Sequence, residues 1–463
     1  MSKNMNYKIN FDEIASDFRY KENSLLNHSH GEKCKIFPFV ANETNIFTDF
    51  TGVMSEFSRM ICDVKMNESF NVDDFINSVL EKIDEYEGEN SKEVFKDIIK
   101  TMFIDEDKLV NFNIKTMNYI NSSNTEKKFA KFLYNNLFDE DLKSLVDIHY
   151  NKSEGNILNK IVLDSLPKLD NKKVAKQSSF NYVPYVKEIF IKDLRFLLEN
   201  EELYKNSLKR VLEYYYMFYI SQLILKLSKF EKADENQVEI LYYTLSWEST
   251  SKNRIAYKFG WNMLNNYLSS IFAHAVTLEL LNYHNLNEQL GYKRLFEIFS
   301  SDDREYIKTQ ITKIISDYKK HVIDIDWNNF RYNEYNSGLK EFDLVHELFK
   351  SVEYQFIVSK TRNRANDAYK NWYIKFVQAN FGKRRGSLGY NLNLTEEDII
   401  LMTKLCINNN EKLKLSSLFK EFELRGMYFD RDSKEKIVQL YEKLSLLEKK
   451  SDSGDAQYVR SIL

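Results

Sequence analysis

A group of possible metal ligands lies near the start of the chain, in the segment HSHGEKC. His28, His30 and Cys34 fall within seven residues, and imidazole and thiolate are groups that zinc prefers. A structural zinc site has four ligands with paired spacings, and no other cysteine or histidine lies close by in sequence. The pattern therefore favours a polar N-terminal loop, and we expect neither a metal nor another cofactor.

Other residues with chemical potential have simpler interpretations. Asp324 and Asp326 alternate with apolar residues as in a nuclease strand, but the lysine that should follow is missing. We favour a solvated turn there. His274 lies in the apolar segment FAHAV, which at helical spacing predicts a core histidine rather than a catalytic base.

The segment WESTSKNR combines Trp247, Glu248 and Arg254. An internal ion pair is the favoured interpretation, and a partner-facing patch is the alternative. The phosphate loop of nucleotide hydrolases, G-x-x-x-x-G-K-[ST], does not occur in the sequence. With no phosphate loop and no convincing metal cluster, we expect no catalytic residues and no enzymatic activity.

Basic residues give a stronger signal, because residues 350–385 contain nine Lys or Arg and only two acidic side chains. On one continuous helix, Lys350, Lys360, Arg364 and Lys375 would lie within about 80° of one another along roughly 38 Å. Such a stripe could bind DNA phosphates, and a solvated helix face is the equally weighted alternative. Three further DNA-binding candidates follow directly: Lys383, Arg384 and Arg385.

The composition describes a large globular chain. Its 463 residues are 43% hydrophobic, which suffices for two or three cores of ordinary size. Three unpatterned cysteines and no evident secretory signal predict a cytoplasmic location. The longest apolar run, 214–227, is shorter than the roughly 20 residues of a membrane span, so we predict a buried helix there. The net charge of -3 gives no global attraction to DNA, so binding would need local patches.

Scarce proline and glycine predict a mainly α fold with multi-helical N-terminal and central regions. Segment 33–40 is expected to form an edge strand or an extended lead-in, because Pro38 interrupts it. One early helix should bury the stripe Phe75, Val79, Leu80 and Ile83. The expected division is a mostly helical N-terminal region (1–150), a lysine-rich linker (151–184), a central helical domain (185–381) and a C-terminal domain (388–463).

The C-terminal domain carries the start and stop signals of three helices. Thr395 should cap the first helix, and Ser416 or Ser417 the second. Gly426 should end the second helix in a left-handed conformation, and Asp432 should open a capping box for the third. The apolar stripe of the third helix consists of Ile437, Leu440, Tyr441 and Leu444.

Short strands complete this domain. KLKL (412–415) is a brief alternating segment, and LLEKKS and QYVRSI predict two strands joined by a turn at Gly454, with Tyr458 and Val459 on the returning strand. Three helices with a two-stranded wing predict a winged helix-turn-helix. The DNA-binding candidates here are Lys436, Gln439, Lys443, Lys449 and Lys450. Nearby acids oppose them: Glu435, Glu442, Asp452 and Asp455.

At this point the sequence resembles a known family. The last part of the chain, LKLSSLFKEFELRGMYFDRDSKEKIVQLYEKLSLLEKKSDSGDAQYVRSIL, is similar to the C-terminal end of the DptG family, and LSWESTSKNRIAYKFGWNML (245–264) is similar to its middle. The resemblance covers about the last seventy residues most strongly. It implies a subunit of a bacterial DNA-restriction complex that acts on DNA lacking phosphorothioate modification. It further implies two partners, DptF-like and DptH-like, of which the latter is the ATPase or helicase-like motor.

Two hypotheses about function follow. The favoured one is a non-catalytic helical scaffold that engages double-stranded DNA inside a restriction complex, in anti-phage defence, without membrane contact. The alternative is a free-standing winged-helix DNA-binding regulator. The near balance of 15 basic and 13 acidic residues within 383–463 favours protein contact or weak DNA contact over direct sequence reading.

Overall fold

The computed structural model describes residues 7–20, 26–175, 180–449 and 457–462. The chain is mainly helical, as predicted, with a few small sheets. Among the described residues, no helix combines the length and the apolar character that crossing a membrane requires.

Several helices begin where the sequence offers a capping side chain. Ser123 and Thr395 each accept a hydrogen bond from the backbone three residues on, and the acidic side chain there accepts one in return. The α-helices are α1 (Phe11–Asp17), α2 (Thr51–Ile61), α3 (Val72–Leu80), α4 (Ser91–Phe103), α5 (Asn124–Leu137), α6 (Lys143–Tyr150), α7 (Ile157–Asp164), α8 (Pro184–Glu199), α9 (Glu201–Leu227), α10 (Ile255–Lys258), α11 (Trp261–Leu268), α12 (Ile271–Leu281), α13 (Tyr292–Ser301), α14 (Arg304–His321), α15 (Lys340–Val358), α16 (Arg362–Asn380), α17 (Glu396–Ile407), α18 (Leu415–Leu424) and α19 (Arg431–Lys443). Short 3-10 helices cover Thr116–Tyr119, Glu140–Leu142, Phe230–Lys232, Trp327–Asn329 and Gly386–Leu388.

The strands are short and lie between the helices. They are β1 (Val64–Lys65), β2 (Ile104–Asp105), β3 (Lys108–Leu109), β4 (Asp170–Asn171), β5 (Thr244–Leu245), β6 (Gly382–Arg384), β7 (Tyr390–Leu394), β8 (Lys412–Lys414), β9 (Leu447–Lys449) and β10 (Gln457–Arg460). Strands β1 and β4 pair antiparallel, as do β2 and β3. Strand β7 lies between β5, parallel to it, and β6, antiparallel.

Helix α9 lies at the centre of the main hydrophobic core and contains the apolar run 214–227. Every residue of that run is buried, so the predicted buried helix is confirmed. Some tyrosine hydroxyls on this helix have polar partners: Tyr214 donates to the backbone oxygen of Arg425 at 2.5 Å, and Tyr219 donates to Asn136 at 2.9 Å. The buried hydroxyls of Tyr204 and Tyr216 have no hydrogen-bond partner among the described residues. This core contains buried residues from Tyr7 through Val459.

A second, smaller core lies in the N-terminal region, between α3, α4 and α7. Phe75, Val79 and Leu80 are buried there as predicted, but Ile83 lies beyond the last residue of α3. Helix α7 contributes Val162, which is fully buried. Residues 151–184 thus include one helix, strand β4 and the first residue of α8.

Segment 33–40 forms no strand and runs as an irregular lead-in into the main core. Cys34, Phe37 and Phe39 are buried, and the rings of Phe37 and Phe39 stack 5.3 Å apart. Of the two alternatives for this segment, the edge strand is wrong, because residues 33–40 form no strand.

The C-terminal part contains α17, β8, α18, α19, β9 and β10 in that order, and β10 pairs antiparallel with both β8 and β9. Thr395 caps α17, and Gly426 adopts a φ of +78°, both as predicted. The returning strand contains Tyr458 and Val459, also as predicted. The predicted turn at Gly454 lies outside the described residues.

Three details of this part were predicted wrongly. Helix α18 begins at Leu415 after Lys414 with no capping side chain, because strand β8 runs directly into it, so neither Ser416 nor Ser417 is the cap. Asp430, not Asp432, caps α19 and accepts from the backbone of Ser433. Leu444 follows the end of α19 and is 39% exposed, so it is not part of the buried stripe.

Candidate nucleic-acid-binding surfaces

The predicted basic stripe does not lie on one helix. The chain leaves the helical conformation between α15 and α16, since Ser359 is extended and its hydroxyl accepts from the backbone of Arg362 at 3.3 Å. Lys350 therefore lies on α15, Lys360 in the turn, and Arg364 and Lys375 on α16. The prediction of one continuous 38 Å stripe is wrong, because a hydroxyl that competes for backbone hydrogen bonds interrupts the helix.

Several of these cations already have partners. Lys350 pairs with Glu353 at 2.6 Å, and Lys375 pairs with Glu43 at 3.2 Å. Lys383 donates to the backbone oxygen of Ser246 at 2.5 Å, and Arg385 donates to that of Leu245 at 2.8 Å. In contrast, the side chains of three candidates are exposed and make no ion pair in the described part of the chain: Lys360, Arg364 and Arg384.

Arg362, one of the nine basic residues in this stretch, is buried and pairs through both terminal nitrogens with Asp324, at 2.8 and 3.0 Å. Burial of Asp324 opposes its ionisation, but the hydrogen bonds from Arg362 lower its pKa. Asp324 lies in an exposed turn, as predicted, and its ion pair with Arg362 was not predicted. This ion pair removes one cation from the surface that DNA could reach.

The candidates on and after α19 lie among carboxylates. Lys436 donates to Gln439 at 3.0 Å. Lys443 lies 3.9 Å from Glu396, and Lys449 pairs with Glu442 at 3.0 Å. Lys450 lies outside the described residues.

The first turn of α19 is fastened to the preceding part of the chain. Arg254 donates to both carboxylate oxygens of Asp430, one of them at 3.0 Å, and also to Ser433 at 2.9 Å. Burial opposes the charge of Arg254, but the hydrogen bond with Asp430 raises its pKa. The same guanidinium lies 3.3 Å from Glu248, which is 2% exposed at its side chain, so the predicted internal ion pair is confirmed.

A groove of about 730 Å³ runs beside α19. Tyr242, Ile255 and Phe429 form its apolar wall, while Val438 and Gln439 come from α19 itself. The face of α19 that carries Gln439 is therefore flanked by side chains from the 240–260 segment.

A basic cleft that the sequence did not predict lies in the N-terminal region, with a volume of about 640 Å³. The pairing of β1 with β4 brings residues after position 170 beside residues after position 64. Helix α5 supplies a third side and α2 a fourth. We call this cavity the lysine cleft, and its cationic lining residues are Arg59, Lys65, Lys127, Lys131, Lys172 and Lys173.

Arg59 forms the floor of the lysine cleft and is only 3% exposed. Its guanidinium donates to the backbone oxygens of Asn118 and Ile120, at 2.8 and 2.9 Å, and pairs with Glu56 at 2.6 Å. It is therefore a satisfied structural cation. Glu56 is neutralised by this pair, which leaves Glu68 as the other acidic lining residue.

The five lysines of the cleft are exposed and make no ion pair within the described part of the chain. Lys35 and Lys128 extend the positive region beside Lys131. The pKa of Lys35 is lowered first by desolvation and then by the charges of Lys128 and Lys131, while Glu32 acts in the opposite direction. Unpaired ammonium groups of this density are suited to binding anions.

The lysine cleft could not be predicted from the sequence, because residues that are distant in sequence form it. The sequence could have indicated that Lys127 and Lys131 lie on one helix face, because they are four residues apart. Lys172 and Lys173 were assigned to a linker, and only the two-residue strand pair β1 and β4 places them beside Lys65. A pairing that short has no recognisable sequence pattern.

The HSHGEKC segment surrounds a buried carboxylate. Glu279 accepts hydrogen bonds from the backbone of residues 31–34, at 2.9 to 3.1 Å. His28 bonds the hydroxyl of Tyr318 at 2.8 Å, and burial first of all lowers the pKa of His28 to about 3. No group of three or more His, Cys, Asp or Glu in the described residues could hold a metal ion.

His274 is a core residue, as predicted. It bonds the hydroxyl of Tyr292 at 2.9 Å and stacks on Phe349 at 4.3 Å. Burial, followed by the charge of Lys350, lowers the pKa of His274 to about 3, so the imidazole is neutral at pH 7.

Comparison with known proteins adds no assignment. No family model matches the sequence, and no curated protein matches it.

Proposed function

We propose that this chain is a non-catalytic, DNA-engaging scaffold subunit of a cytoplasmic bacterial restriction complex that acts on DNA lacking phosphorothioate modification. Motor and cutting activities belong to DptF-like and DptH-like partners. The resemblance of the last seventy residues and of 245–264 to the DptG family supports this proposal. The two similar segments are in contact, because Arg254 of the first pairs with Asp430 of the second.

The observation that carries the proposal is the architecture of the C-terminal part. Its helix–strand–helix–helix–strand–strand order and the sheet order β8–β10–β9 are those expected of a winged helix. We therefore propose that residues 388–463 form a winged helix, with α19 in the position of the recognition helix. Helix-turn-helix units of this kind contact nucleic acid or, equally, partner proteins.

The attachment of α19 favours a scaffold over a sequence-reading regulator. In helix-turn-helix proteins, the N-terminal residues of the recognition helix contact base edges in the major groove. Here that turn bonds Arg254 through Asp430 and Ser433. Base contacts would require these bonds to break, whereas backbone or protein contacts would not.

The alternative function is a free-standing winged-helix regulator. One observation favours it: Arg431 at the start of α19 is 89% exposed at its side chain, and Gln439 is also exposed. A regulator must bind one duplex sequence far more tightly than others, typically by 10³-fold or more.

Affinity purification of the tagged full-length chain from its native host, followed by mass spectrometry, tests the proposal. We expect the DptF-like and DptH-like proteins to co-purify in constant proportion, and the isolated chain to show neither ATPase nor nuclease activity. A chain that elutes alone and prefers one duplex sequence by 10³-fold would instead be a regulator. Turnover that persists through rigorous purification would contradict the non-catalytic assignment.

A further inference from the structure

The lysines of the lysine cleft have no carboxylate partner in the described part of the chain. Elsewhere in the molecule, lysines are commonly neutralised by carboxylates, as Lys350 is by Glu353 and Lys375 by Glu43. Lys65, Lys127 and Lys131 have no such partner in the described residues. Like charges gathered around one cavity repel each other, and a bound polyanion relieves that repulsion.

The lining of the cleft narrows the class of anion. Its apolar residues are aliphatic or thioether side chains, such as Met60, Val64, Met66 and Val174, and no aromatic ring among the described residues lines it. Single-stranded nucleic acids and free bases are usually held by stacking on aromatic rings. A ligand that offers phosphates without exposed bases fits this lining, and duplex DNA is such a ligand.

The choice of lysine also fits a phosphate backbone. A lysine ammonium is a compact charge on a flexible stem, so it follows phosphates without demanding the paired geometry of arginine. Arg59 is the one arginine among the described residues that line the cleft, and Glu56, Ser122 and backbone oxygens occupy its guanidinium fully. Duplex DNA carries about one charge per 1.7 Å of helix axis, so several lysines can be neutralised together.

We propose that the lysine cleft binds the phosphate backbone of duplex DNA, independently of sequence. This inference rests on the proposed function, and it assigns the DNA contact to the N-terminal region rather than to α19 or the α15–α16 cations. Each lysine that neutralises a phosphate contributes about 0.9 to the slope of log affinity against log salt.

The test compares two matched variants of the full-length chain. The cleft variant carries Lys127→Gln, Lys131→Gln, Lys172→Gln and Lys173→Gln. The control variant removes four exposed lysines of the same region that make no ion pair among the described residues and do not line the cleft: Lys82, Lys92, Lys100 and Lys108, each changed to Gln. Exposed substitutions of this kind change stability by about 0.5 kcal/mol or less, so thermal melting should show both variants folded.

Fluorescence anisotropy with a labelled 20-base-pair duplex is measured from low to moderate salt. We expect wild type and control to bind with the same salt slope, and the cleft variant to lose roughly 3 to 4 units of slope. Equal slopes for all three proteins would overturn the cleft assignment while leaving the scaffold function intact.

Two further outcomes also overturn the inference. If the cleft variant loses binding of ATP but keeps its duplex affinity, the cleft takes a small phosphate ligand. If wild type binds no duplex at low salt, the cleft is not a DNA site, and the co-purification experiment decides the scaffold function separately.

Discussion

A buried ion pair fastens the C-terminal part of the chain to helix α8. Arg425, directly after α18, donates to both oxygens of Asp193 at 2.6 and 2.9 Å, and the side chains are 1% and 0% exposed. Burial opposes the charge of Arg425, but Asp193 holds its pKa well above the usual value. The hydroxyl of Tyr215 also donates to Asp193 at 2.5 Å.

We predict that Asp193→Asn loosens the C-terminal part. The substitution keeps the shape and one acceptor for Tyr215, but it removes the charge that faces Arg425. Breaking a buried pair in this way costs about 3 to 5 kcal/mol. Glu421 still pairs with Arg425 at 2.7 Å, so we expect the lower figure, about 3 kcal/mol, or roughly two orders of magnitude in the local opening equilibrium.

Hydrogen–deuterium exchange followed by mass spectrometry measures this opening in peptides from α17 to α19. Exchange there should accelerate by about 100-fold, while peptides of the small N-terminal core should be unaffected. Replacing both partners, with Asp193→Leu and Arg425→Met, should recover much of the loss because no unpaired charge stays buried. Unchanged exchange in Asp193→Asn, or a double variant as unstable as the sum of the single variants, would contradict the role assigned to this ion pair.

Two further predictions concern packing and pH. Gly426→Ala should destabilise the chain by about 1 to 3 kcal/mol, because φ is +78° and the added carbon would approach the Phe218 ring to 2.3 Å. Gly338→Ala is the control for backbone strain, since its φ is +82° and an added carbon would meet open space; equal melting shifts would contradict the packing argument. The pKa of His274 is about 3 in the folded chain and about 6.5 in the unfolded chain, so the unfolded chain takes up the proton first. The contribution of His274 therefore lowers the free energy of unfolding by about 1.4 kcal/mol per pH unit as the pH drops below about 6.5. His274→Asn should therefore lower the proton uptake on unfolding by about one between pH 4 and 6, measured from melting against pH, and an unchanged uptake would contradict the assignment.

Local signals explain what the sequence predicted correctly. The cap at Thr395 and the left-handed Gly426 depend on a few neighbouring residues. The buried character of 214–227 and of His274 follows from continuous apolar composition. Such features need no knowledge of distant contacts.

Distant contacts explain what the sequence did not predict. Asp430 caps α19 while it also bonds Arg254, which is 176 residues away. Ser359 ends α15 where the periodicity of charge suggested continuation. The lysine cleft depends on the pairing of β1 with β4. The boundaries of the predicted domains stay predictions.

A restriction assay in the native host tests whether this chain acts in DNA restriction. The measurement is the transformation efficiency of a plasmid without phosphorothioate, relative to the same plasmid carrying the modification, in hosts with and without this chain. We predict that deletion abolishes the discrimination and that the wild-type chain restores it on complementation, whereas the Lys127, Lys131, Lys172 and Lys173 cleft variant restores it poorly. Undiminished discrimination in the deletion host would contradict a role for this chain in DNA restriction.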